Sequence, residues 1–516
     1  MKPTLKNTLL LSFILSLASA CASGTPGADT GASGSGTAIG DGDVGGGSTG
    51  STGGGSTDVL PDPFAEAPDQ TENLTNISAY LEDVLENGAL DNACEVWQRD
   101  PDNRRKMLLC GKAMFFYEGF DGIGVPEVVF DFFPEKMPEI VGVAWSEYGL
   151  IPDPFSEKNR PLGFPKGADF GGQPTVTYGC ASCHFGQMPD GRYAVGYPNL
   201  QYEYGTHALA LFIPPQKANP MFSEDGYESV ALAKVRPLLD RLDGDMWMRT
   251  QLSTSMLPLF GSMDDAPQLN NEQQKQFASW PAGVLDAVMV PAPVDDGVHA
   301  PARILDLWEI PSAEEVQAFE MESPLLGWNG DAPDLHSFLK VFVKVSGGPV
   351  DQWPATRFDP LIAYLMSLKA PDNPGHVGGG YEAGREIFSS AGCIDCHDGP
   401  RGQSRVIYDY EDIGTDEAYK YFGDPELTGE PCCGLGDPEL DAPMRHGLKA
   451  PRLTGLWAKE KLLHNGSVKG LEELLCVGGD RPTITAHGLT NIGHEFGCDD
   501  LTDQEKRQLI DFLMEL

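Results

Sequence analysis

The sequence predicts an all-α fold of two similar units with long loops, the first enlarged by insertions, and three observations predict it. One pattern, Cys-x-x-Cys-His, occurs twice, as Cys180-Ala181-Ser182-Cys183-His184 and as Cys393-Ile394-Asp395-Cys396-His397. Each copy lies between segments whose apolar residues recur at the three- and four-residue spacing of a helix face. Asp-, Gly- and Pro-rich turns separate those segments.

The elements follow in chain order. Lys2 and Lys6 precede an apolar run at 9–18 that is too short to span the roughly 30 Å hydrocarbon layer and has the layout of a secretory signal. Residues 1–20 are read as that signal. It closes on Leu17-Ala18-Ser19-Ala20-Cys21, which resembles the bacterial lipoprotein box. The resemblance implies acylation of Cys21 and, because Ala22 is not Asp, sorting to the outer membrane. Residues 21–60 are almost entirely Gly, Ser, Thr, Ala and Asp and read as a tether. About 38 flexible residues would hold the rest of the chain ~35 Å from lipid on average.

Beyond the tether the chain divides into residues 61–375, a first unit with extra helices, and residues 376–516, a second unit. In the first, Tyr80, Leu81, Val84 and Leu85, then Met107, Leu108, Met114 and Phe115, fall at helical spacing, and 361–369, stopped by Ala370-Pro371, reads as its last helix. In the second, Gly384-Arg385-Glu386-Ile387-Phe388 opens a helix ahead of Cys393. Residues 501–516 form another, with Thr502 as cap and Glu505 three positions on.

Charge excludes several classes of function. The 516 residues carry 36 Lys+Arg against 76 Asp+Glu, a net charge of −40, so nucleic-acid binding and electrostatic adsorption to anionic lipid are disfavoured and a basic partner is favoured.

The 11 cysteines carry the chemistry. Chance would produce about 0.005 copies of Cys-x-x-Cys-His at this composition, and two are present. The spacing presents two thiols to the two vinyl groups of a porphyrin while the next residue places its imidazole under the iron, so Cys180, Cys183 and His184, and Cys393, Cys396 and His397, are expected to hold two covalent c-type haems. The rival, zinc, would need further ligands near each pentapeptide. Setting aside Cys21 and the four haem cysteines leaves six in an oxidising compartment. Cys94 with Cys110 would close a local loop, and Cys432 or Cys433 could reach Cys476 or Cys498; the pairing stays open.

The haem motifs, with Ala450-Pro451-Arg452-Leu453 and Leu463-His464-Asn465-Gly466-Ser467-Val468, resemble the bacterial di-haem cytochrome c peroxidase superfamily, which also holds MauG and the di-haem rubber oxygenases. Trp328-Asn329-Gly330-Asp331 is similar to that family's Trp-Asp-Gly-Arg element, whose Trp conducts electrons between the haems; Trp308 is the fallback. The resemblance covers roughly residues 140–516 and is weak between 190 and 320. By fold analogy alone it also suggests calcium between the domains.

Function then turns on the second axial position of each iron: a strong sixth ligand makes an electron carrier, and an open face admits peroxide or dioxygen. For the second haem, His494 in Gly493-His494-Glu495-Phe496-Gly497 falls where the peroxidases have a distal Met; Met444 is the rival. For the first, His207 is the nearest downstream imidazole and is weighed against an ordinary solvent-facing loop His; His299, His336, His376, His446 and His487 are weaker candidates. His464 reads as supporting the second haem. Counting from Trp328 without a gap, Phe338 stands where the peroxidases have a Gln and Gly348 where they have the Glu that handles protons. Glu320 and Glu322 could replace it only if the fold brings them over the iron, and surface exposure is the default for both. An apolar distal face that includes Phe338 is more like the oxygenases.

Two expectations follow. One is a lipid-anchored envelope redox enzyme, peroxidase- or oxygenase-like, with the haem on His184 reactive and the haem on His397 passing electrons through Trp328, a small basic electron-carrier protein as partner, and peroxide or dioxygen as substrate. The other is a di-haem electron-transfer lipoprotein with both irons six-coordinate and no turnover of its own.

Overall fold

The computed structural model describes residues 92–219, 222–259, 269–286, 299–330, 332–375, 380–421, 447–484, 486 and 488–516. The chain divides at Leu60/Pro61, and every described residue belongs to the second unit. The signal, the tether, Cys21, residues 76–91, Met444, His376, His446, His487, Cys432 and Cys433 lie outside the described residues.

The architecture is mainly helical, with a few short strand pairs. The helices that matter for the sites are α1 (Ala93–Gln98), α2 (Arg104–Tyr117), α3 (Cys180–His184), α4 (Tyr204–Gln216), α5 (Ser229–Gly244), α6 (Asn271–Ser279), α7 (Leu335–Val345), α8 (Ala355–Leu365), α9 (Tyr381–Ser390) and α10 (Asp503–Leu513). Among the described residues the strands form four antiparallel pairs, the longest joining Phe185–Gln187 to Tyr193–Val195 with Phe185 opposite Val195.

The same helix crossing occurs twice. In the first, Gly111 of α2 sits against α8, where an added Cβ would lie 1.9 Å from the Pro360 carbonyl oxygen, and one turn later Phe115 meets Tyr364 edge-on at 6.0 Å. In the second, Gly384 of α9 sits against α10, where an added Cβ would lie 2.1 Å from the Gln508 carbonyl oxygen, and Phe388 meets Phe512 at 5.5 Å. Gly111 and Phe115, like Gly384 and Phe388, are four residues apart, so a glycine that lets two backbones touch is followed on the same face by an aromatic that fills the space beyond. The crossings bracket the two Cys-x-x-Cys-His motifs: α2 precedes α3 and α8 closes that half, while α9 precedes Cys393 and α10 closes the other.

Several sequence expectations have direct counterparts. Thr502 caps α10 in a reciprocal box with Glu505. The helix expected at 361–369 starts earlier, at Ala355, and takes Pro360 into its interior. The material inserted after the first motif is helical, α4, α5 and α6 packing together around a core that includes Leu209, Val235, Leu239 and Phe277.

Cys94 pairs with Cys110, as the local loop suggested. Cys476 pairs with Cys498, which corrects the expectation that either would reach Cys432 or Cys433. The reason is local: the two Cα atoms lie 5.1 Å apart, and the buried Lys506 ammonium of α10 donates to both backbone carbonyls, 3.2 Å from that of Cys476 and 2.6 Å from that of Cys498. Two disulfides place this unit outside the reducing cytoplasm. No helix among the described residues is long and apolar enough to cross a membrane.

Candidate functional site

At the second motif a 3₁₀ turn, Cys393–Asp395, follows α9 directly, and His397 closes it with its N–H bonded to the Cys393 carbonyl at 3.0 Å. Both thiols are unpaired, although the chain forms disulfides elsewhere. They open on a cavity of about 460 Å³, within the roughly 300–1,000 Å³ of cofactor sites. Its walls are largely aliphatic, with Leu453, Leu462, Leu471, Leu509 and Leu513 prominent.

His397 and His494 both line this cavity. Nδ1 of His397 is hydrogen-bonded to the Gly402 carbonyl, which fixes the ring and leaves Nε2 as the atom able to bind a metal. The two ring centres stand 6.4 Å apart. Imidazoles on opposite faces of one iron, with bonds of about 2 Å and centres about 1.1 Å behind the bonding nitrogens, would stand about 6.2 Å apart. Burial lowers the affinity of both rings for a proton, that of His494 to about 4 with the neighbouring His397 adding to the effect, so both are neutral and able to ligate at physiological pH. His494 is held with φ of +50°, its N–H bonded to the Ile413 carbonyl at 3.0 Å and its own carbonyl, like that of Gly493, accepting from Arg481.

Cys393, Cys396 and His397, with His494 opposite, could therefore hold a covalent porphyrin. No group of three or more His, Cys, Asp or Glu able to hold a bare metal ion occurs among the described residues.

Trp328 forms part of the same cavity wall, 6% exposed. Its indole N–H donates to the Arg303 carbonyl at 2.9 Å, the Arg303 guanidinium lies 5.1 Å from its ring centre, and His464 meets it edge-on at 6.4 Å. His464 is buried, its affinity for a proton pushed down to about 4 by burial, and its carbonyl accepts from the Arg303 N–H at 2.7 Å. Trp328 and His464 thus both line the second cavity.

At the first motif α3 carries Cys180, Cys183 and His184 and runs straight into the Phe185–Gln187 strand. The His184 carbonyl accepts from the Gly196 N–H at 2.8 Å, and the Cys183 carbonyl from the Asn199 N–H at 2.7 Å, so the strand pair and the chain after it clamp the motif from outside. Both thiols are unpaired, and burial pushes them up, Cys180 to about 12 and Cys183 to about 11. His184 is pushed down to about 4 by burial; the Leu305 carbonyl and Asp306 act in the opposite direction. Its Nδ1 is buried without a hydrogen bond of good geometry.

Residues 303–306 therefore join the two sites. Arg303 bonds Trp328 at the second, and Leu305 and Asp306 lie beside His184 at the first.

His207 is neither a loop residue nor solvent-facing. It sits fully buried in the first turn of α4, inside a cage of Phe130, Trp145, Tyr148, Phe164 and Tyr202 with ring centres 4.7–6.0 Å away. Nδ1 is bonded to the Tyr202 hydroxyl at 2.9 Å; Nε2 is buried and has no partner among the described residues. No ring contact joins it to His184, in contrast to the pair at the second site. Tyr178, Tyr202 and Tyr204 share hydrogen bonds beside Cys183, with Tyr178 pushed up to about 12 by burial.

Phe338 lies on α7 and is 37% exposed. At Gly348 an added Cβ would lie 2.4 Å from the Phe120 carbonyl oxygen, so a side chain there would force the surrounding backbone to shift. Glu320 and Glu322 are at the surface.

Four buried cations on the wall of the second cavity, Arg303, Lys449, Arg452 and Lys459, went unnoticed as site residues in the sequence. Their signal was there: Lys449, Arg452, Lys459 and Lys461 crowd one short stretch of an otherwise acidic chain.

No protein-family model matches the chain, and no curated protein matches it. Among solved structures, hydrazine synthase of Kuenenia stuttgartiensis, pressurised with 20 bar xenon, aligns with 16% identity over 42% of this chain and 73% of that one, at a TM-score of 0.25. A likeness that low carries no argument about chemistry.

Proposed function

We propose that the chain is a di-haem c-type redox enzyme of the cell envelope, related to the cytochrome c peroxidase superfamily and built as two cytochrome c-like units, in which the site on His184 reacts and the site on His397 delivers electrons. A haem at each motif supplies one-electron chemistry and, where an axial face is open, the binding of peroxide or dioxygen. The observation that carries the reading is the asymmetry of the imidazoles. His397 has His494 across a cofactor-sized cavity at 6.4 Å, whereas among the described residues no imidazole makes ring contact with His184. The second site is thereby closed by the protein and suited to electron transfer; the first leaves a position for an outside molecule.

The chain's own residues fill the remaining roles. Trp328 and the 303–306 segment give a packed route between the sites, with Trp328 bonded to Arg303 at one end and the Leu305 carbonyl beside His184 at the other. By the resemblance Gly348 stands where the peroxidases have their Glu, and its crowding by the Phe120 carbonyl supports an oxygenase-like first site over a peroxidase with in-built proton transfer. Acylation of Cys21 would anchor the protein to the outer membrane, and the charge of −40 would draw in a small basic electron carrier.

Turnover with a reduced basic cytochrome and either H₂O₂ or dioxygen plus an apolar substrate tests this. Activity should be present and His184→Ala should abolish it. Activity that survives His184→Ala but not His397→Ala would reverse the roles.

A further inference from the structure

Tyr202 and His207 form a closed pair in the interior beside the first motif. Both are fully buried, and the Tyr202 hydroxyl stands 2.9 Å from Nδ1 of His207. Nε2 of His207 has no hydrogen-bond partner among the described residues, and the ring centres of Phe130, Trp145, Tyr148 and Phe164 surround the imidazole at 4.7–6.0 Å. That enclosure decides the tautomer. Aromatic π-density repels a nitrogen lone pair and attracts an N–H, so the proton sits on Nε2 and Nδ1 is the acceptor for the Tyr202 O–H.

Burial keeps the pair neutral at rest, holding Tyr202 well above the ordinary phenol range and His207 down at about 3. Loss of an electron reverses that order. A phenol that has lost one electron is a strong acid, and a positive charge left on it in an apolar interior would be costly, so oxidation there requires a base that takes the proton in the same step. His207 is such a base. The imidazolium it becomes lies within the roughly 6 Å at which aromatic rings stabilise a cation.

The neighbouring tyrosines hydrogen-bond to phenols instead, Tyr178 to both Tyr202 and Tyr204. Cys183 packs against the core that contains all three rings, which puts them beside the first haem site.

Resting on the two-haem reading above, we propose that Tyr202 is a redox-active tyrosine, giving one electron to the first site and, in the same step, its phenolic proton to Nδ1 of His207. The Tyr202 O–H bond breaks and an Nδ1–H bond forms, leaving a neutral tyrosyl radical and a caged imidazolium. The oxidant is a peroxide at the first site, which takes up two electrons, and two protons from solvent, as its O–O bond breaks to give water. The haem sites supply one electron and Tyr202 the other. An electron arriving later through the site on His397 restores Tyr202, and the proton returns to it from Nδ1.

The test is EPR and ENDOR spectroscopy of the full-length ferric holoprotein, frozen shortly after mixing with H₂O₂, with each sample assayed for haem by the pyridine haemochrome. With two haems bound, a tyrosyl radical should appear, narrow when the protein carries ring-deuterated tyrosine, and show a proton coupling that is lost after long equilibration in D₂O. Tyr202→Phe, which removes only the hydroxyl, should abolish the radical, and Tyr178→Phe should retain it. His207→Gln should lose the exchangeable coupling and most of the radical. The coupling in the parent protein keeps the inference falsifiable where a variant fails to fold. No tyrosyl radical in a parent protein holding two haems, a radical without the exchangeable coupling, or one unchanged in Tyr202→Phe and His207→Gln would overturn this inference alone. Fewer than two haems in the parent protein would overturn the underlying reading and this inference with it.

Discussion

His494 adopts φ of +50°, a conformation that costs a non-glycine residue about 1–2 kcal/mol, and it is held there by the Ile413 carbonyl on one side and Arg481 on the other. Strain maintained by surrounding contacts is a feature of sites, and here it turns an imidazole toward His397. Replacing that imidazole with a thioether should stabilise ferrous iron. His494→Met is therefore expected to raise the midpoint of one haem and leave the other in place, read by redox titration; two unmoved midpoints would remove His494 from the coordination sphere. The sequence singled this residue out through the resemblance alone, because it falls where the peroxidases have a distal Met, ahead of the last helix. The surroundings of His207 were not, since its cage is assembled from residues 130–202, whose rings meet only through the fold. A lone His in sequence cannot tell an aromatic cage from solvent.

The repeated crossing of a glycine-bearing helix with a closing helix sets the positions of both motifs. Gly384 admits the Gln508 carbonyl so closely that even a methyl group must displace α10. Gly384→Ala should cost roughly 1–3 kcal/mol through overpacking, seen as a lower denaturant midpoint, despite alanine's better helix propensity. A stabilised Gly384→Ala variant would mean that the crossing is not a tight packing constraint. The second half of this repeat was readable from Gly384 to Phe388. The first half was obscured because long insertions separate α2 from α8, so the two helices that meet in space are far apart in the chain. The Cys476–Cys498 pairing was likewise hidden: it depends on Lys506 gathering two carbonyls, and spacing alone does not show that. The caps and turns, being local, were legible; the cation wall, drawn from 303 and from 449–459, was visible only as an oddity of composition.

At the scale of the whole molecule, the interior holds several neutral imidazoles. His184, His464 and His494 are pushed down to about 4 and His207 to about 3, all by burial. Two of them, His207 and His464, hold no iron in this account. An unfolded chain binds protons on these two rings below about 6.5, and the folded one does not until about 4 or lower. Stability is therefore fully present above about pH 6.5 and is lost as pH falls toward 4, with a slope reaching about 2.7 kcal/mol per pH unit if both act together. Chemical denaturation across that range should show midpoints falling steeply; midpoints flat from pH 7 to 4 would contradict the buried, neutral state of these rings. The net charge of −40 acts over a longer range, favouring basic partners over acidic ones.

The central claim is that one haem site is closed by two protein imidazoles and the other accepts an outside ligand. The EPR spectrum of the purified ferric protein, recorded with and without cyanide, tests it most directly. The account predicts one low-spin signal that ignores cyanide and one high-spin signal that converts to low-spin on its addition. Two low-spin signals, both unchanged by cyanide, would contradict it.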